Sequence, residues 1–374
     1  MAEIKRVIYA DNAATTQLDA DAFEAMRPFL LDEYGNPSQP YSFSRSTRNA
    51  LATARSMIAS CIGAHENEIF FTSGGTESDN WAIKCGSRSG DIITSAIEHH
   101  AVLKSCEKCS AQSHVTYILP DMDGFITPES VEASITEKTK LVSIMTANNE
   151  IGTIQPISQI SHVCKKHGVL FHTDAVQAVG HIPLTVGELG VDLFSASAHK
   201  FHGPRGIGFL YLKNGTIIDP YLDGGSQEYG HRAGTQNIPA IVGMAFALQK
   251  ACANMNKNIA YVTALEQMLL NGLRERGVPF FRNGGTHTLP GLLSLSFRGF
   301  DGEAIMHRMD LMGIAVSTGS ACNGHSTAIS HVLKGLQLDK EHARGTIRIS
   351  LGDYNTENDI NEIVDALCRI VSVF

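Results

Sequence analysis

Residues 195–208 read SASAHKFHGPRGIG, an apolar run that closes on one lysine and then turns sharply through Gly203-Pro204. Lys200 follows Val191, Leu193 and Phe194, with His199 just before it, so the pattern places its amine at a strand end. Partial desolvation there disfavours the ammonium and leaves a nucleophilic amine, the state a Schiff-base lysine requires. A lysine beside a turn is, taken alone, an exposed side chain. The motifs around it weigh the other way.

Working outward from that stretch, residues 68–213 alternate short apolar runs with helix-length segments. EIFFTS, DIITSA, HVTYIL, KLVSIMTA, VLFHTDA, LFSASA and IGFLYLK form the series, and it predicts seven strands. Most connections can hold a crossover helix, so the expected fold is α/β, with a mainly parallel seven-stranded sheet covered on both faces. The last two runs are joined by little more than a loop, which leaves room for one antiparallel strand. Ligands in such sheets sit beyond the carboxyl ends of the strands.

Chemistry gathers at those ends. The first run leads into SGGTES (Ser73–Ser78), where Gly74 and Gly75 allow close backbone approach and Thr76 falls at a helix start suited to phosphate or to plain capping. Neither GxxxxGK(S/T) nor GxGxxG occurs, so a nucleotide is not the first expectation. His99 follows the second run and can lie over a planar ligand. Asn149 ends the fourth. The fifth ends in FHTDAVQAVG, with Asp174 and Gln177 just past an apolar strand, where a carboxylate needs a cation or strong donors. Pyridoxal 5′-phosphate meets all these demands together: a phosphate for the glycine-threonine turn, a pyridinium nitrogen for the carboxylate, a ring for the flat neighbour and an aldehyde for the lysine.

The flanks are of a different kind. The N-terminal stretch carries DNAATT, then helices expected over about 19–31 and 44–62 around the loop YGNPSQPYS, in which Asn36 either contacts substrate or simply forms a turn. Downstream come the polar loop DGGSQEYGHRAGT, ending at Thr235, and a helix over about 239–277 that bridges to a smaller α+β unit. That unit holds LLSLSF, a helix over 302–312, a strand near Ala315, the strand GTIRISLG with Arg348 at its centre, and a last amphipathic helix opening at Thr356. Arg348 suits a carboxylate ligand or an ordinary ion pair. The expected division is 15–255 as a large cofactor-binding domain, with 1–14 and 256–374 as a small one. Within the latter, STGSACNGHST (Ser317–Thr327) sets Cys322 in a loop of small residues, where a thiol is accessible.

The 374 residues carry a net charge of −8, which argues against a nucleic-acid partner. No run reaches the ~18 apolar residues of a membrane span. Eight cysteines without a disulfide-like framework fit a reducing, cytoplasmic setting. Cys106 and Cys109 form a lone CxxC with no second ligand pair, so no metal site is expected.

DNAATT, YGNPS, FTSGGTESDN, NNEIG, HTDAVQAVG, SAHKFHGPRGIG, RAGT, STGSAC and IRISLG together resemble the cysteine desulfurases of the class V aminotransferase family, in the group that includes the housekeeping and nitrogen-fixation enzymes. The resemblance covers nearly the whole chain. It implies a fold-type I pyridoxal-phosphate enzyme in which Lys200 carries the cofactor, Asp174 pairs with its ring nitrogen, Gln177 meets the ring hydroxyl and His99 stacks on the ring and assists proton transfer. It further implies that Gly75, Thr76, Ser197 and His199 hold the phosphate, with Thr235 reaching it from the other subunit of a homodimer. Asn149 would lie near the cofactor, Asn36 and Arg348 would bind the carboxylate of L-cysteine, and Cys322 would accept sulfur for transfer to an acceptor protein in iron–sulfur assembly. After Cys322, His325 and Ile329 depart from the common pattern. Housekeeping relatives also extend beyond the position of Phe374 with a tail that docks the iron–sulfur scaffold. The alternatives are another class V pyridoxal enzyme, an aminotransferase or a cysteine/selenocysteine lyase that does not use Cys322, and a non-catalytic cofactor-binding protein.

Overall fold

Strand β1 is Ile8–Tyr9, and the seven runs above become β2 (Ile69–Thr72), β3 (Asp91–Ser95), β4 (Val115–Ile118), β5 (Thr139–Ser143), β6 (Leu170–Asp174), β7 (Leu193–Ser197) and β8 (Gly208–Leu212) in a computed structural model of the chain. It describes residues 6–318 and 329–371. The seven form one sheet in the order β2-β8-β7-β6-β5-β3-β4. β3 to β7 run parallel, and β8 is antiparallel to both of its neighbours. The expected odd strand is therefore β8, since the turn after Lys200 is too short for a crossover.

Helices cover both faces, so the central strands are buried along their whole length, as β7 and β8 are. Phe194 and Phe209, on neighbouring strands, are fully buried, each contributing on the order of 1.5–3 kcal/mol. Every parallel strand points its carboxyl end toward one edge, which is where the site forms.

The smaller unit pairs β9 (Phe281–Asn283), β10 (Leu292–Ser296) and β12 (Thr346–Ser350) in an antiparallel sheet, while β11 (Ile314–Ala315) pairs with β1. Its last helix, Glu357–Val371, opens on a reciprocal cap: Asp359 N donates to Thr356 Oγ1 at 3.2 Å and Thr356 N to Asp359 Oδ2 at 2.9 Å. Ile360, Ile363, Val364, Leu367, Ile370 and Val371 then lie buried on one face. Helix Ile238–Glu275 serves both units. Its first third, through Leu248, enters the core under the large sheet, and Val262, Leu265, Leu269, Leu270 and Leu273 enter the core of the smaller unit. The helix is long and apolar enough to cross a membrane, but these burials account for its apolar face.

Candidate functional site

At the carboxyl ends of the large sheet lies a cavity of about 640 Å³. Gly75, Thr76, His99, Asn149, Asp174, Gln177, Ser197, His199, Lys200 and Arg348 all line it. Residues from six separate stretches of sequence thus meet in one place.

One end is built from backbone. Helix Gly75–Gly86 starts after Gly74, which offers no capping side chain, so the first-turn amides open onto the cavity beside Gly75 and Thr76. Thr76 is accordingly not the cap. The approach is close: a Cβ on Gly75 would lie 2.6 Å from Val176 Cγ2, and one on Gly208 would lie 2.7 Å from the Gly74 Cα. Ser197 and His199 complete this end, with Arg205 adding a cation. Burial, with the charges of Lys200 and Arg205, lowers the His199 pKa to about 4, so its ring is neutral.

At the centre, the Lys200 ammonium donates to the carbonyls of Ala13 at 2.5 Å and Ala14 at 2.9 Å. Its own carbonyl meets His181 Nε2 at 2.8 Å, which pins the backbone beneath the amine. Gln177 Nε2 donates to the same Ala13 carbonyl at 2.9 Å. His99 caps the helix His100–Cys109, its Nδ1 accepting from Ala101 N at 3.2 Å. Burial and the nearby Lys200 lower its pKa to about 4, so in the neutral ring the proton sits on Nε2.

Asp174 is buried, with Oδ1 accepting from Val176 N at 2.9 Å. Burial raises its pKa, while that amide and Lys200 oppose the rise. A second carboxyl, Asp79, stands beside it: one ligand atom each from Asp79, His99 and Asp174 lie within 4.8 Å of one another. Toward the smaller unit, Arg348 pairs with Asp11 at 2.7 Å and donates to the Asn149 carbonyl at 2.8 Å. Its Nε is buried without a partner. Of the two readings of Arg348, the structure shows the ion pair, and it sits at the cavity wall.

Asn36 and Thr235 do not line the cavity. The Asn36 side chain accepts from Ser38 N at 2.9 Å, a turn-forming role, and Thr235 is exposed. Cys322 and His325 lie outside the described residues. Asp11, Asp79, Arg205 and the Ala13 and Ala14 carbonyls were not singled out from sequence. Asp11 and Asp79 sit inside the motifs DNAATT and TESDN, but a carbonyl carries no sequence signal.

The donors fit pyridoxal phosphate: open helix amides with Ser197 and His199 for an anion, a buried carboxylate for a pyridinium nitrogen and one amine for an aldehyde. Comparison with known proteins agrees. Residues 8–363 match the Aminotransferase class-V family. The chain is 47% identical to the cysteine desulfurase IscS of Dictyoglomus turgidum over 98% of its own length and 95% of the relative's. It is 42% identical to that of Methanosarcina thermophila, over 98% and 92%. Among solved structures, a NifS-like protein superposes with a TM-score of 0.92 at 38% identity, covering 98% of this chain and all of that one. SspA in complex with cysteine superposes at 0.83 with 35% identity, covering 93% of this chain and all of that one.

Proposed function

The chain belongs to the aminotransferase class-V family, and from that premise we infer that it is a pyridoxal-phosphate-dependent cysteine desulfurase. It converts L-cysteine to L-alanine, leaves sulfur on Cys322 as a persulfide and passes it to an acceptor. The convergence of Lys200, Asp174, His99 and Arg348 on one cavity carries the reading.

Bound pyridoxal phosphate supplies an electron sink for the substrate α-carbon. Lys200 would hold the cofactor, and its amine would serve as the base for the substrate α-proton. Asp174, buried in the cavity, would pair its negative charge with the ring nitrogen. His99, neutral with its Nε2 protonated, would lie against the cofactor and supply a proton-transfer group there. Arg348, at the cavity wall, orients the substrate carboxylate, with Asn149 beside it. The Cys322 thiolate attacks the substrate sulfur: a sulfur–sulfur bond forms, the carbon–sulfur bond breaks, and its electron pair stays with the three-carbon fragment, which is protonated to alanine.

We place Thr235 at the phosphate of a second copy's site, because its exposed position and glycine-rich loop suit reach outward, and this makes the enzyme a homodimer. The seven described cysteines are all free thiols, which suits a reducing compartment such as the cytoplasm. The test is incubation with L-cysteine and a reductant. Sulfide and alanine should appear in equal amounts. Cys322→Ala should keep cofactor binding and lose sulfide release; sulfide at the wild-type rate from that variant would assign the chemistry to a lyase that does not use Cys322.

A further inference from the structure

Asp79 is buried, lines the cavity and has no role in the reaction above. It projects from helix Gly75–Gly86 under the sheet, with Oδ1 lacking any hydrogen-bond partner. The groups that face it come from three directions. β6 presents Asp174 and His172, β7 presents Ser195, and the segment after β3 presents Glu98 and His99. His172 Nε2 is 3.7 Å from Asp79 Oδ1. That ring could in principle be the missing cation, but it is held between Ser143 Oγ at 2.8 Å and Ser195 Oγ at 2.9 Å, and complete burial lowers its pKa to about 3. His99 is neutral as well. Of the cations that line the cavity, Lys200 is the one whose charge bears on Asp174, while Arg348 is paired with Asp11.

Two carboxyls this close in a buried site, with the Lys200 charge bearing on Asp174, cannot both ionise. We propose that Asp79 is a positioning residue for the cofactor: it holds the single proton of the Asp79–Asp174 pair, stays neutral, and leaves Asp174 as the only negative charge set against the ring nitrogen. The direction of the Asp79 shift agrees, since burial raises it first and the charge of Asp174 raises it further. Asp174 takes the charge because it has what Asp79 lacks, an amide donor and the Lys200 ammonium. A single charge then balances a single pyridinium. This inference rests on the pyridoxal-phosphate reading of the cavity, not on the fate of the substrate sulfur.

The test compares Asp79→Asn, a neutral isostere, with Asp79→Leu, which keeps bulk and removes polarity. In the holoenzyme, Asn should hold pyridoxal phosphate within about three-fold of wild type and keep the pH profile of its visible absorption, whereas Leu should weaken binding by roughly ten-fold. In the full-length protein freed of cofactor, wild-type stability should fall as pH rises from about 5 to 8, because a carboxyl with a raised pKa is stabilising only while protonated. Asp79→Asn should flatten that fall, so its melting temperature gains on wild type with pH. A ten-fold affinity loss in Asn would show that Asp79 is charged. A pH-independent difference in melting, or Asn no better than Leu, would equally overturn the proposal. None of these measurements uses cysteine, so failure of the desulfurase reading would show separately, as cofactor binding without sulfide.

Discussion

Two buried carboxylate sites in the large unit are equally dry and oppositely finished. Arg55 and Glu228 meet side by side at 2.9 Å through both nitrogens and both oxygens. Glu228 also accepts from Phe71 N at 3.0 Å and Gln236 Nε2 at 3.3 Å, and the guanidinium lies 4.5 Å from the Phe71 ring centre. At the cavity, Asp79, Asp174 and Glu98 are as deeply buried, yet Asp79 Oδ1 and Glu98 Oε2 have no partner. A finished pair locks geometry. An unfinished cluster keeps potential in reserve for a cation that arrives later, and its carboxyls rise accordingly, Glu98 to about 8 through burial.

The largest effect belongs at the unfinished site. Lys200→Ala removes the amine that both carries the cofactor and moves the proton, so desulfurase turnover should fall by about 10⁴-fold or more. Steady-state sulfide release measures it, and the folded state should survive, since the Lys200 hydrogen bonds to the Ala13 and Ala14 carbonyls are loop contacts. Next in size is the finished site. Glu228→Ala strands Arg55 without its partner and should cost about 3–5 kcal/mol of folding free energy. Glu228 and Tyr229 both have positive φ, 47° and 56°, a conformation the ion pair helps hold. Denaturant unfolding checks this; a loss under about 1 kcal/mol would erase the contrast between the two sites.

Asp174→Asn separates the sites by sign. Activity should fall by about 10²-fold, because the ring nitrogen loses its counter-charge. The cofactor-free protein, by contrast, should become more stable relative to wild type as pH rises. The folded pKa of Asp174 is raised, so the folded state favours the protonated carboxyl, a stabilisation that is full below the unfolded pKa and is lost as pH climbs through the folded one. Melting curves at about pH 5 and 8 decide it. A loss of stability at both would mean that Asp174 is as finished as Glu228.

Much of this was legible in the chain itself, because strand periodicity and glycine-proline punctuation are local. The seven runs became the seven strands, and the short link after Lys200 narrowed the antiparallel strand to one of the last two, which is β8. Most cavity residues were legible for the same reason, since they lie at or shortly after a strand's carboxyl end, whereas Arg348 sits at the centre of β12. What escaped depends on distance in three dimensions. The Ala13 and Ala14 carbonyls reach Lys200 across 187 and 186 residues, and Arg348 finds Asp11 across 337. Asp79 escaped because TESDN reads as an ordinary helix start, and the unpartnered state of its Oδ1 exists only once the helix packs on the sheet.

Glu150 stands between the two extremes and gives the smallest expected effect. Its Oε2 accepts from Ser330 Oγ at 2.5 Å, which ties the start of helix His331–Gly335 to the strand end that carries Asn149. Burial raises its pKa to about 7, with the Ser330 bond and the Arg348 charge opposing. Ser330→Ala removes one of those two restraints. At low pH the carboxyl is neutral and the loss is an ordinary hydrogen bond of about 1 kcal/mol, with the added loss of the Ser330 cap on Val332 N, which does not depend on pH. As pH passes 7 the ionised carboxylate would be left to Arg348 alone, so the deficit of the variant should widen between about pH 5 and 8 by a further ~1 kcal/mol. Thermal melts across that range read the widening directly. A deficit that stays constant would show that Glu150 is held by Arg348 and backbone amides alone, and would move it to the finished side of the comparison.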